Sequence, residues 1–390
     1  MNIDPFLQGL VPEMTAWRQD FHAHPEIAWE ERRSSACITQ LLTEFGYEVT
    51  TGLAGTGVVG TLRRGGGKSV MLRADMDALA MTEAAPERPH RSLHPGCMHG
   101  CGHDGHMAML LGAAKALVRE PGLSGTIHLL FQPAEENEAG ARRLVEEGLF
   151  QRFPSDAVFG LHNWPGLPAG VMAVRPGPMM ASCDLFEIGL SGKGAHAAMP
   201  HLGQDVVLAA AQLVSALQAI VARQIDPLDS AVVSVTQIEA GSTWNVMPAS
   251  ALLRGTARAL KAETRAFLAQ RIEEIASTQA QAAGLHLSWR YDQRYPPTVN
   301  SRAEALIARE AAALVVGEAH VQDDVAPSMG AEDFAFLLAE RPGAYAWLGA
   351  GKAGAAGLHN ESYDFNDAIL AIGAQWWVRV AKLVCRNEPV

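Results

Sequence analysis

The chain has 390 residues, of which 48% are hydrophobic and 19% are charged. This length and composition predict two or a few domains with cores of their own, and they exclude a small disulfide-stapled protein. The net charge is -11, so no overall basic field exists to hold nucleic acid or an anionic membrane. The five cysteines are an odd number spread over a long chain, which predicts reduced thiols in the cytoplasm.

No secretory signal is predicted, because the first residues lack a positive region followed by an apolar core. The longest uncharged stretch, residues 206–222, is rich in alanine and contains Gln212, Ser215 and Gln218. It falls short of the roughly 20 strongly apolar residues that a membrane-spanning helix needs, so it is interpreted as a packed helix of a soluble protein. We therefore expect neither a membrane nor a nucleic acid as a partner.

The first 183 residues alternate between helical and strand patterns. Apolar residues recur at helical spacing between residues 13 and 45, and short apolar runs at 69–75, 126–132 and 157–162 are typical of strands. Between the first two runs, a helix is predicted over residues 106–119, with Asp104 as its N-cap. Strands separated by helices predict an α/β domain whose sheet is mainly parallel and covered on both faces.

The pattern changes after Pro178. Strands are predicted over residues 185–191, 231–238, 250–258 and 285–291, with helices over 205–223 and 262–283. This βαββαβ order is that of a ferredoxin-like α+β sandwich. Because the α/β pattern resumes at Tyr295, we predict one discontinuous α/β domain, residues 1–183 and 295–390, interrupted by a smaller domain, residues 184–294.

Residues 97–106, CMHGCGHDGH, contain two cysteines and three histidines. Glycines between them free the backbone, and thiol and imidazole side chains are ligands that zinc and related metals prefer. If the segment is extended, Cys101 and His103 point the same way, and His106 falls on the following helix. The sequence therefore predicts a metal site that includes part of this segment.

Further ligand-type residues lie at or just past the ends of predicted strands: Asp75, Glu135, Glu136 and His162. In open α/β sheets the functional crevice lies beyond the carboxyl ends of the strands, so these side chains are expected to meet there. Adjacent glutamates can divide the work at a metal site, since one binds the ion while its neighbour takes a proton from water. His359 is a further histidine in a loop, which on its own is typical of an ordinary surface histidine.

Motifs in order along almost the whole chain carry a resemblance to a known family. They are LRADMDAL at residues 72–79, HGCGHDGH at 99–106, QPAEE at 132–136, GLHN at 160–163, GAHAAMPH at 194–201, WNVMP at 244–248, MGAEDF at 329–334 and LHN at 358–360. Taken together, they resemble the hippurate hydrolase and indole-acetyl-amino-acid hydrolase branch of the metal-dependent aminoacylase and carboxypeptidase family.

The resemblance implies a centre of two divalent metal ions, for which zinc, manganese, cobalt and nickel are all compatible with the donor atoms. It also implies five ligands: Cys101, His103, Glu136, His162 and His359. Glu135 is implied as the general base, and Asp75 and Asp77 as residues that support the ligands or the fold. His99 and His106 lie outside the implied ligand set.

In this family the inserted domain is a lid that also mediates dimerisation, so residues 184–294 are expected to form a homodimer. His196 matches the lid histidine, which reaches a partner's active site and stabilises the oxyanion of the tetrahedral intermediate. Asn245 and Arg258 match positions associated with holding the free carboxylate of the substrate. An exposed strand residue without such a role is the alternative interpretation of Arg258.

The leading hypothesis is a cytoplasmic, homodimeric metalloamidohydrolase that cleaves hippurate-like or N-acetyl amino acids into a carboxylic acid and an amino acid. Within the family, deacetylation of N-acetyl-diaminopimelate and cleavage of dipeptides, as a dipeptidase or carboxypeptidase, stay open. A thiol hydrolase with Cys101 as nucleophile and His103 as base is disfavoured, because residues two positions apart on one strand are poorly placed to share a line of attack. A non-catalytic binder of amino-acid conjugates has no need of Glu135 beside Glu136.

Overall fold

The computed structural model describes residues 1–385, so residues 386–390, the last of the predicted α/β domain, lie outside the described residues. The helices are α1 (Pro5–Gly9), α2 (Val11–Ala23), α3 (Arg32–Phe45), α4 (His103–Leu117), α5 (Gly140–Glu146), α6 (Leu149–Arg152), α7 (Val206–Gln224), α8 (Ala262–Ala282), α9 (Arg302–Val316), α10 (Ala335–Glu340) and α11 (Leu370–Val384). Short 3-10 helices lie at Pro200–Leu202, Glu318–His320 and Asp367–Ile369.

The strands, also in chain order, are β1 (Glu48–Leu53), β2 (Gly57–Arg64), β3 (Ser69–Asp75), β4 (Gly125–Gln132), β5 (Ala157–Pro168), β6 (Met172–Ala173), β7 (Gly177–Met180), β8 (Cys183–Ser191), β9 (Ala195–His196), β10 (Ala231–Ala240), β11 (Val246–Met247), β12 (Ser250–Ala259), β13 (His286–Tyr295), β14 (Thr298–Asn300), β15 (Val321–Gln322) and β16 (Gly343–Gly351).

The chain forms two compact units. The first comprises Met1–Gly177, Val299–Ala326 and the described residues from Asp333 onward. The second comprises Pro178–Thr298 and Pro327–Glu332. The predicted fold class, an α/β unit with a smaller α+β unit inserted into its sequence, is confirmed. The assignment of residues 184–294 as a lid and dimerisation domain stays a prediction.

The first unit is built on an eight-stranded sheet with the order β1-β2-β4-β3-β5-β16-β6-β15. Its centre is parallel, because β3 pairs in parallel with β4 and β5, and β5 pairs in parallel with β16. The apolar strand β3 is buried over residues 70–75, as expected for a parallel strand that is covered on both faces. The carboxyl ends of β3, β4 and β5 therefore lie side by side at one edge of the sheet.

Helix α4 packs with α2 and α11 in the main hydrophobic core of the first unit. It begins at His103, earlier than predicted, because Gly102 has a φ of 92° and turns the chain sharply into the helix. The segment from Cys101 to His103 is therefore a turn and not extended. The prediction of Asp104 as the N-cap is wrong, since Asp104 lies in the first turn and its carboxylate pairs with His22.

The second unit contains a four-stranded antiparallel sheet with the order β10-β12-β8-β13. Its apolar face packs against α7 and α8, which gives the ferredoxin-like sandwich that the βαββαβ pattern predicts. Helix α7 begins after Asp205, whose side chain accepts a hydrogen bond from the Leu208 N–H at 2.9 Å. Strands β10 and β13 form the two edges of this sheet.

Within the described part of the chain, α7 is the helix that is long and apolar enough to cross a membrane. The expectation that this stretch falls short of a membrane span is therefore wrong by length and composition. The inner face of α7 is buried against the sheet through Leu213, Leu217 and Ile220. On its outer face, Val207 and Leu208 are exposed. Packing on the sheet thus explains the inner apolar face and leaves the outer one to be explained.

A buried ion pair joins α2 to α4. His22 Nδ1 lies 2.8 Å from Asp104 Oδ2, and His22 Nε2 lies 3.4 Å from Glu83 Oε1. Burial lowers the pKa of His22, but the two carboxylates outweigh this effect and raise the pKa to about 9. His22 is therefore protonated in the folded protein at neutral pH, and both of its ring nitrogens donate.

We expect His22→Gln to lower the free energy of unfolding most strongly at low pH. The pKa of His22 is raised above its ordinary value of 6.5, so the stabilisation is fully present below pH 6.5 and is lost as the pH rises through about 9. The pH-dependent part of the difference in unfolding free energy is on the order of 3 kcal/mol. Urea unfolding of both proteins, at equal metal content and at about pH 6 and about pH 10, measures it. A difference in unfolding free energy that is equal at both pH values would contradict the charged pair.

Candidate metal centre

The side chains singled out from the sequence of the first unit meet at the carboxyl ends of the parallel strands. Strand β3 ends at Asp75, and the loop that follows β4 carries the two glutamates. The set is completed by His162, which lies within β5 level with the end of β3, by Cys101 in the turn before α4, by His103 at the first position of α4, and by His359 in the loop after β16. Segments far apart in sequence thus converge because neighbouring parallel strands end at the same edge of the sheet.

Five of these residues form two overlapping groups around a shared thiol. The ligand atoms of Cys101, His103 and His162 lie within 4.8 Å of one another. Those of Cys101, Glu136 and His359 do so as well. The Nε2 atom of His162 lies 3.4 Å from Cys101 Sγ, and that of His359 lies 3.3 Å from Glu136 Oε1. Sulfur, imidazole and carboxylate donors at these separations suit transition-metal ions.

The two buried imidazoles are oriented from behind by backbone carbonyls. His103 Nδ1 donates to the Asp77 carbonyl oxygen at 2.8 Å, and His162 Nδ1 donates to the Asn163 carbonyl oxygen at 2.7 Å. Each ring therefore directs Nε2 into the cluster. Within residues 1–385, the buried atoms His103 Nε2 and Glu136 Oε1 have no hydrogen-bond partner. Buried polar atoms without partners are uncommon, and a metal ion would satisfy both.

The loop after β4 places two adjacent glutamates at the cluster. Its backbone is left-handed at Ala134, with a φ of 56°, which is uncommon for a residue with a side chain. The Asp77 carboxylate accepts the N–H of Glu135 at 3.0 Å and the N–H of Glu136 at 2.9 Å. The Glu31 carboxylate accepts the N–H of Ala134 at 2.9 Å. Two buried carboxylates therefore hold this unusual turn in place.

The side chains of the two glutamates have different surroundings. Glu136 Oε1 lies 3.3 Å from His359 Nε2 and 3.9 Å from His103 Nε2. Glu135 is buried, and its Oε1 accepts the backbone N–H of Asp333 at 3.3 Å. Different environments allow two neighbouring carboxylates to perform different tasks.

His359 is the one predicted ligand with a largely exposed side chain, at 54% of its full accessible surface. Its backbone is left-handed, with a φ of 59°. Its N–H donates to the Gly100 carbonyl oxygen at 2.8 Å, which ties the loop after β16 to the turn that carries Cys101. Strained backbone of this kind persists where the surrounding structure holds it, often at functional sites.

The electrostatic environment of the cluster favours the binding of a cation. Burial raises the pKa of the Cys101 thiol well above its usual range, and the carboxylates of Glu136, Glu135 and Asp75 raise it further. Burial lowers the pKa of His162 well below its usual range, so His162 is neutral, as a metal ligand must be. Thiols bind metals as thiolates, and a divalent cation supplies the positive charge that a thiolate needs here.

His103 and Glu136 also stabilise each other's charged forms. Burial lowers the pKa of His103, but Asp75, Asp77 and Glu136 outweigh this effect and raise it to about 10. Burial raises the pKa of Glu136, but His359 and His103 outweigh it, and the net shift is downward. The excess of carboxylates around these imidazoles thus favours positive charge at the centre of the cluster.

Behind the cluster, hydrogen bonds extend from Asp75, which the resemblance implies as a supporting residue, to residues to which the sequence assigned no role. Asp75 Oδ1 lies 2.5 Å from His106 Nδ1, and His106 Nε2 lies 2.6 Å from Asn163 Oδ1. The Asn163 amide donates to the Tyr363 hydroxyl at 2.7 Å. Both ring nitrogens of His106 are therefore engaged with other residues. The signal available for Asn163 was its place directly after His162, which is also where it acts on the site.

In the second unit, a two-stranded ribbon holds His196 beside Asn245. Strand β9 ends at His196 and pairs with β11, which begins directly after Asn245. The Ala197 N–H donates to the Asn245 carbonyl oxygen at 3.0 Å, and the His196 side chain is exposed. Arg258 lies on β12, where its Nη1 donates to the Met329 carbonyl oxygen at 3.2 Å. The roles of these three residues in binding substrate stay predictions.

Comparisons with known proteins agree with the motifs. Residues 71–383 match the family model described as peptidase family M20/M25/M40. The hippurate hydrolase of Campylobacter jejuni is 39% identical over 382 residues, which cover 98% of this chain and 99% of that protein. The IAA-amino acid hydrolase ILR1-like 4 of Arabidopsis thaliana is 39% identical over 93% of this chain and 83% of its own length.

A solved structure supports the same relationship. The YXEP protein of Bacillus subtilis, described as a dinuclear metal binding peptidase from the M20 family, superposes with a TM-score of 0.85 at 32% identity. The superposition covers 97% of this chain and 99% of that one. The resemblance inferred from the motifs is confirmed, and the chain belongs to the peptidase family M20/M25/M40.

Proposed function

We propose that the protein is a metal-dependent amidohydrolase that cleaves the amide bond of N-acyl amino acids, releasing a carboxylic acid and an amino acid. The observation that carries the proposal is the glutamate pair, in which Glu136 faces two imidazoles while Glu135 is held by a backbone N–H. The names of the relatives specify hippurate and IAA–amino acid conjugates, and both are N-acyl amino acids. These names support the substrate class.

Two divalent metal ions are the proposed cofactors, and the proposed ligands are Cys101, His103, Glu136, His162 and His359. Support comes from the two overlapping donor groups, from the buried atoms His103 Nε2 and Glu136 Oε1, which have no hydrogen-bond partner within residues 1–385, and from the dinuclear description of the YXEP protein. Sulfur, nitrogen and oxygen donors together are compatible with zinc, manganese, cobalt or nickel. When bound, such ions supply Lewis acidity, which polarises an amide carbonyl and makes water a stronger acid.

Glu135 is proposed as the general base and then the general acid. Its carboxylate takes a proton from the attacking water, whose oxygen forms a bond to the amide carbon. The carbon–nitrogen bond then breaks, and the proton passes from Glu135 to the leaving amine nitrogen. Water is thus divided between the two products. The raised pKa of the Cys101 thiol counts against the alternative in which Cys101 is the nucleophile.

Residues of the second unit are proposed to bind the substrate. The His196 imidazole would donate to the oxygen that becomes negative when water attacks. The Asn245 amide and the Arg258 guanidinium would bind the free carboxylate of the amino acid. The β9–β11 ribbon supports joint action of His196 and Asn245, because strand pairing holds the two residues side by side.

A homodimer formed through residues 184–294 is proposed on the basis of exposed apolar surface. The outer face of α7 exposes Val207 and Leu208, the latter at 54%. Strand β10 is an edge strand, and it exposes Ile238. An unpaired edge beside an apolar helix face is suited to pairing with a second copy of the chain. We also propose a reducing cytoplasmic location, because all five cysteines are free thiols.

We expect Glu135→Gln to lower kcat by about 10²- to 10⁴-fold, because the amide cannot take a proton from water. The metal content is expected to stay at that of the wild type, since Glu135 is not a proposed ligand. The measurement is turnover of N-benzoylglycine, N-acetyl and indole-acetyl amino acids, N-acetyl-diaminopimelate and dipeptides by protein loaded with zinc, manganese, cobalt or nickel.

The matched control is Glu138→Gln, which removes an exposed carboxylate from the same acidic run. This variant is expected to retain the wild-type kcat. Full activity of Glu135→Gln would contradict the proposed mechanism. Turnover of dipeptides, with none of the N-acyl amino acids, would instead contradict the proposed substrate class.

We expect the wild-type protein to have twice the 41.7 kDa mass of one chain in solution. Leu208→Glu should shift the mass toward that of a single chain, because it places a charge in the proposed apolar interface. Leu306→Glu is the matched control, since Leu306 is 52% exposed on a helix of the first unit. Light scattering after size exclusion measures the masses. A wild-type monomer, or an unchanged mass in Leu208→Glu, would contradict this interface.

A further inference from the structure

A buried charge network lies behind the proposed general base and is not part of the proposed ligand set. Its centre is Arg73 on β3, which is 1% exposed. Arg73 Nη1 donates to Asp75 Oδ2 at 2.6 Å, Nη2 donates to Asp333 Oδ1 at 2.9 Å, and Nε donates to Gln132 Oε1 at 2.8 Å. Both carboxylates are fully buried. Buried ion pairs contribute little to stability on balance, so this network calls for another explanation.

The Asp333 carboxylate accepts hydrogen bonds from donors on three elements, and carboxylate oxygens of Glu135 and Glu332 also lie within 4.8 Å of it. Besides Arg73 on β3, it accepts from Gln132 Nε2 on β4 at 2.9 and 2.8 Å, and from the Ala141 N–H of α5 at 2.8 Å. All of these partners are donors, so an ionised carboxylate fits the position and a carboxamide does not. These hydrogen bonds therefore fix the Asp333 side chain to the sheet and to α5.

The backbone of the same residue contacts the proposed base. The Asp333 N–H donates to Glu135 Oε1 at 3.3 Å. The backbone N–H of Glu135 donates to the Asp77 carboxylate at 3.0 Å, so Glu135 is held at both its main chain and its side chain. A general base must point its carboxylate oxygen at the proton that it removes. Fixed orientation therefore favours the reaction, because a misplacement of about 1 Å can lower the rate 10²-fold.

We propose that Asp333 and Arg73 are positioning residues that aim the Glu135 carboxylate. Arg73 and Gln132 fix the Asp333 side chain, and the Asp333 backbone N–H then fixes one oxygen of Glu135. Arg73 also holds Asp75, which lies 3.7 Å from His103 Nε2 and 2.5 Å from His106 Nδ1. One guanidinium thus connects the support of the proposed base to that of a proposed ligand. This inference rests on the proposed role of Glu135.

The test is a double-mutant cycle of Asp333→Asn and Glu135→Gln in the metal-loaded protein. Asp333→Asn places a donor amide against donors and should lower kcat by about 10- to 100-fold, with KM and metal content unchanged. In the Glu135→Gln background, the same substitution should change the residual kcat by less than about twofold, because the group that it positions is already disabled. An equal loss of kcat in both backgrounds would overturn the inference.

Asp184→Asn is the matched control. Asp184 is also fully buried and pairs with an arginine, Arg265, at 2.6 Å, but it lies in the second unit. We expect Asp184→Asn to lower the free energy of unfolding, and we expect any effect on kcat to be the same in the wild-type and Glu135→Gln backgrounds. If Asp333→Asn does not fold, Arg73→Lys serves in its place. Lysine keeps the positive charge but cannot form the three hydrogen bonds that the guanidinium makes. Because Arg73 also holds Asp75 near His103, the same pattern in the cycle is expected when the variants are compared at equal metal content. An equal loss in both backgrounds overturns the inference here too.

The outcomes separate this inference from the proposed function. Full activity of Glu135→Gln would refute the general base and, with it, the positioning of that base. Loss of activity in Glu135→Gln with wild-type kcat in Asp333→Asn and Arg73→Lys would refute only the positioning role. Loss of bound metal from Asp333→Asn would also overturn it, because the effect would then act on the ligands and not on Glu135.

Discussion

Asp77 fixes both a histidine and the glutamate loop of the candidate centre. Its carbonyl oxygen accepts the Nδ1–H of His103, while its carboxylate accepts the N–H groups of Glu135 and Glu136. One residue just beyond β3 therefore sets the orientation of an imidazole and the path of the glutamate loop. Each buried group left without its partner would cost about 1–3 kcal/mol, so the ligands and the proposed base depend on the same few hydrogen bonds.

The charges around this anchor explain why the cluster suits a cation. Burial raises the pKa of the Cys101 thiol and lowers that of the His103 imidazole, and the nearby carboxylates raise both, with a net rise in each case. A divalent ion would reverse these effects, because it stabilises a thiolate and displaces the proton of an imidazole. The overall charge of -11 is thus no obstacle to an anionic substrate, which would meet positive charge locally.

The sequence predicts best those features that depend on neighbouring residues. Apolar runs that end at Asp75 and Gln132 indicate two strands and their carboxyl ends, and the motifs indicate the ligand set. The predicted start of α4 is wrong, because the observed start depends on the left-handed backbone of Gly102 and on His22. His22 is 82 positions from its partner Asp104. The pair of Arg73 and Asp333 spans 260 positions, so no local pattern signals it.

The central claim is that two divalent ions bind with Cys101 as a ligand. X-ray absorption at the zinc edge, combined with metal analysis of the zinc-loaded protein, tests it most directly. We expect two ions per chain and a sulfur scatterer at about 2.3 Å, which disappears in Cys101→Ser. A single ion per chain, or a shell of nitrogen and oxygen alone in the wild type, would contradict it.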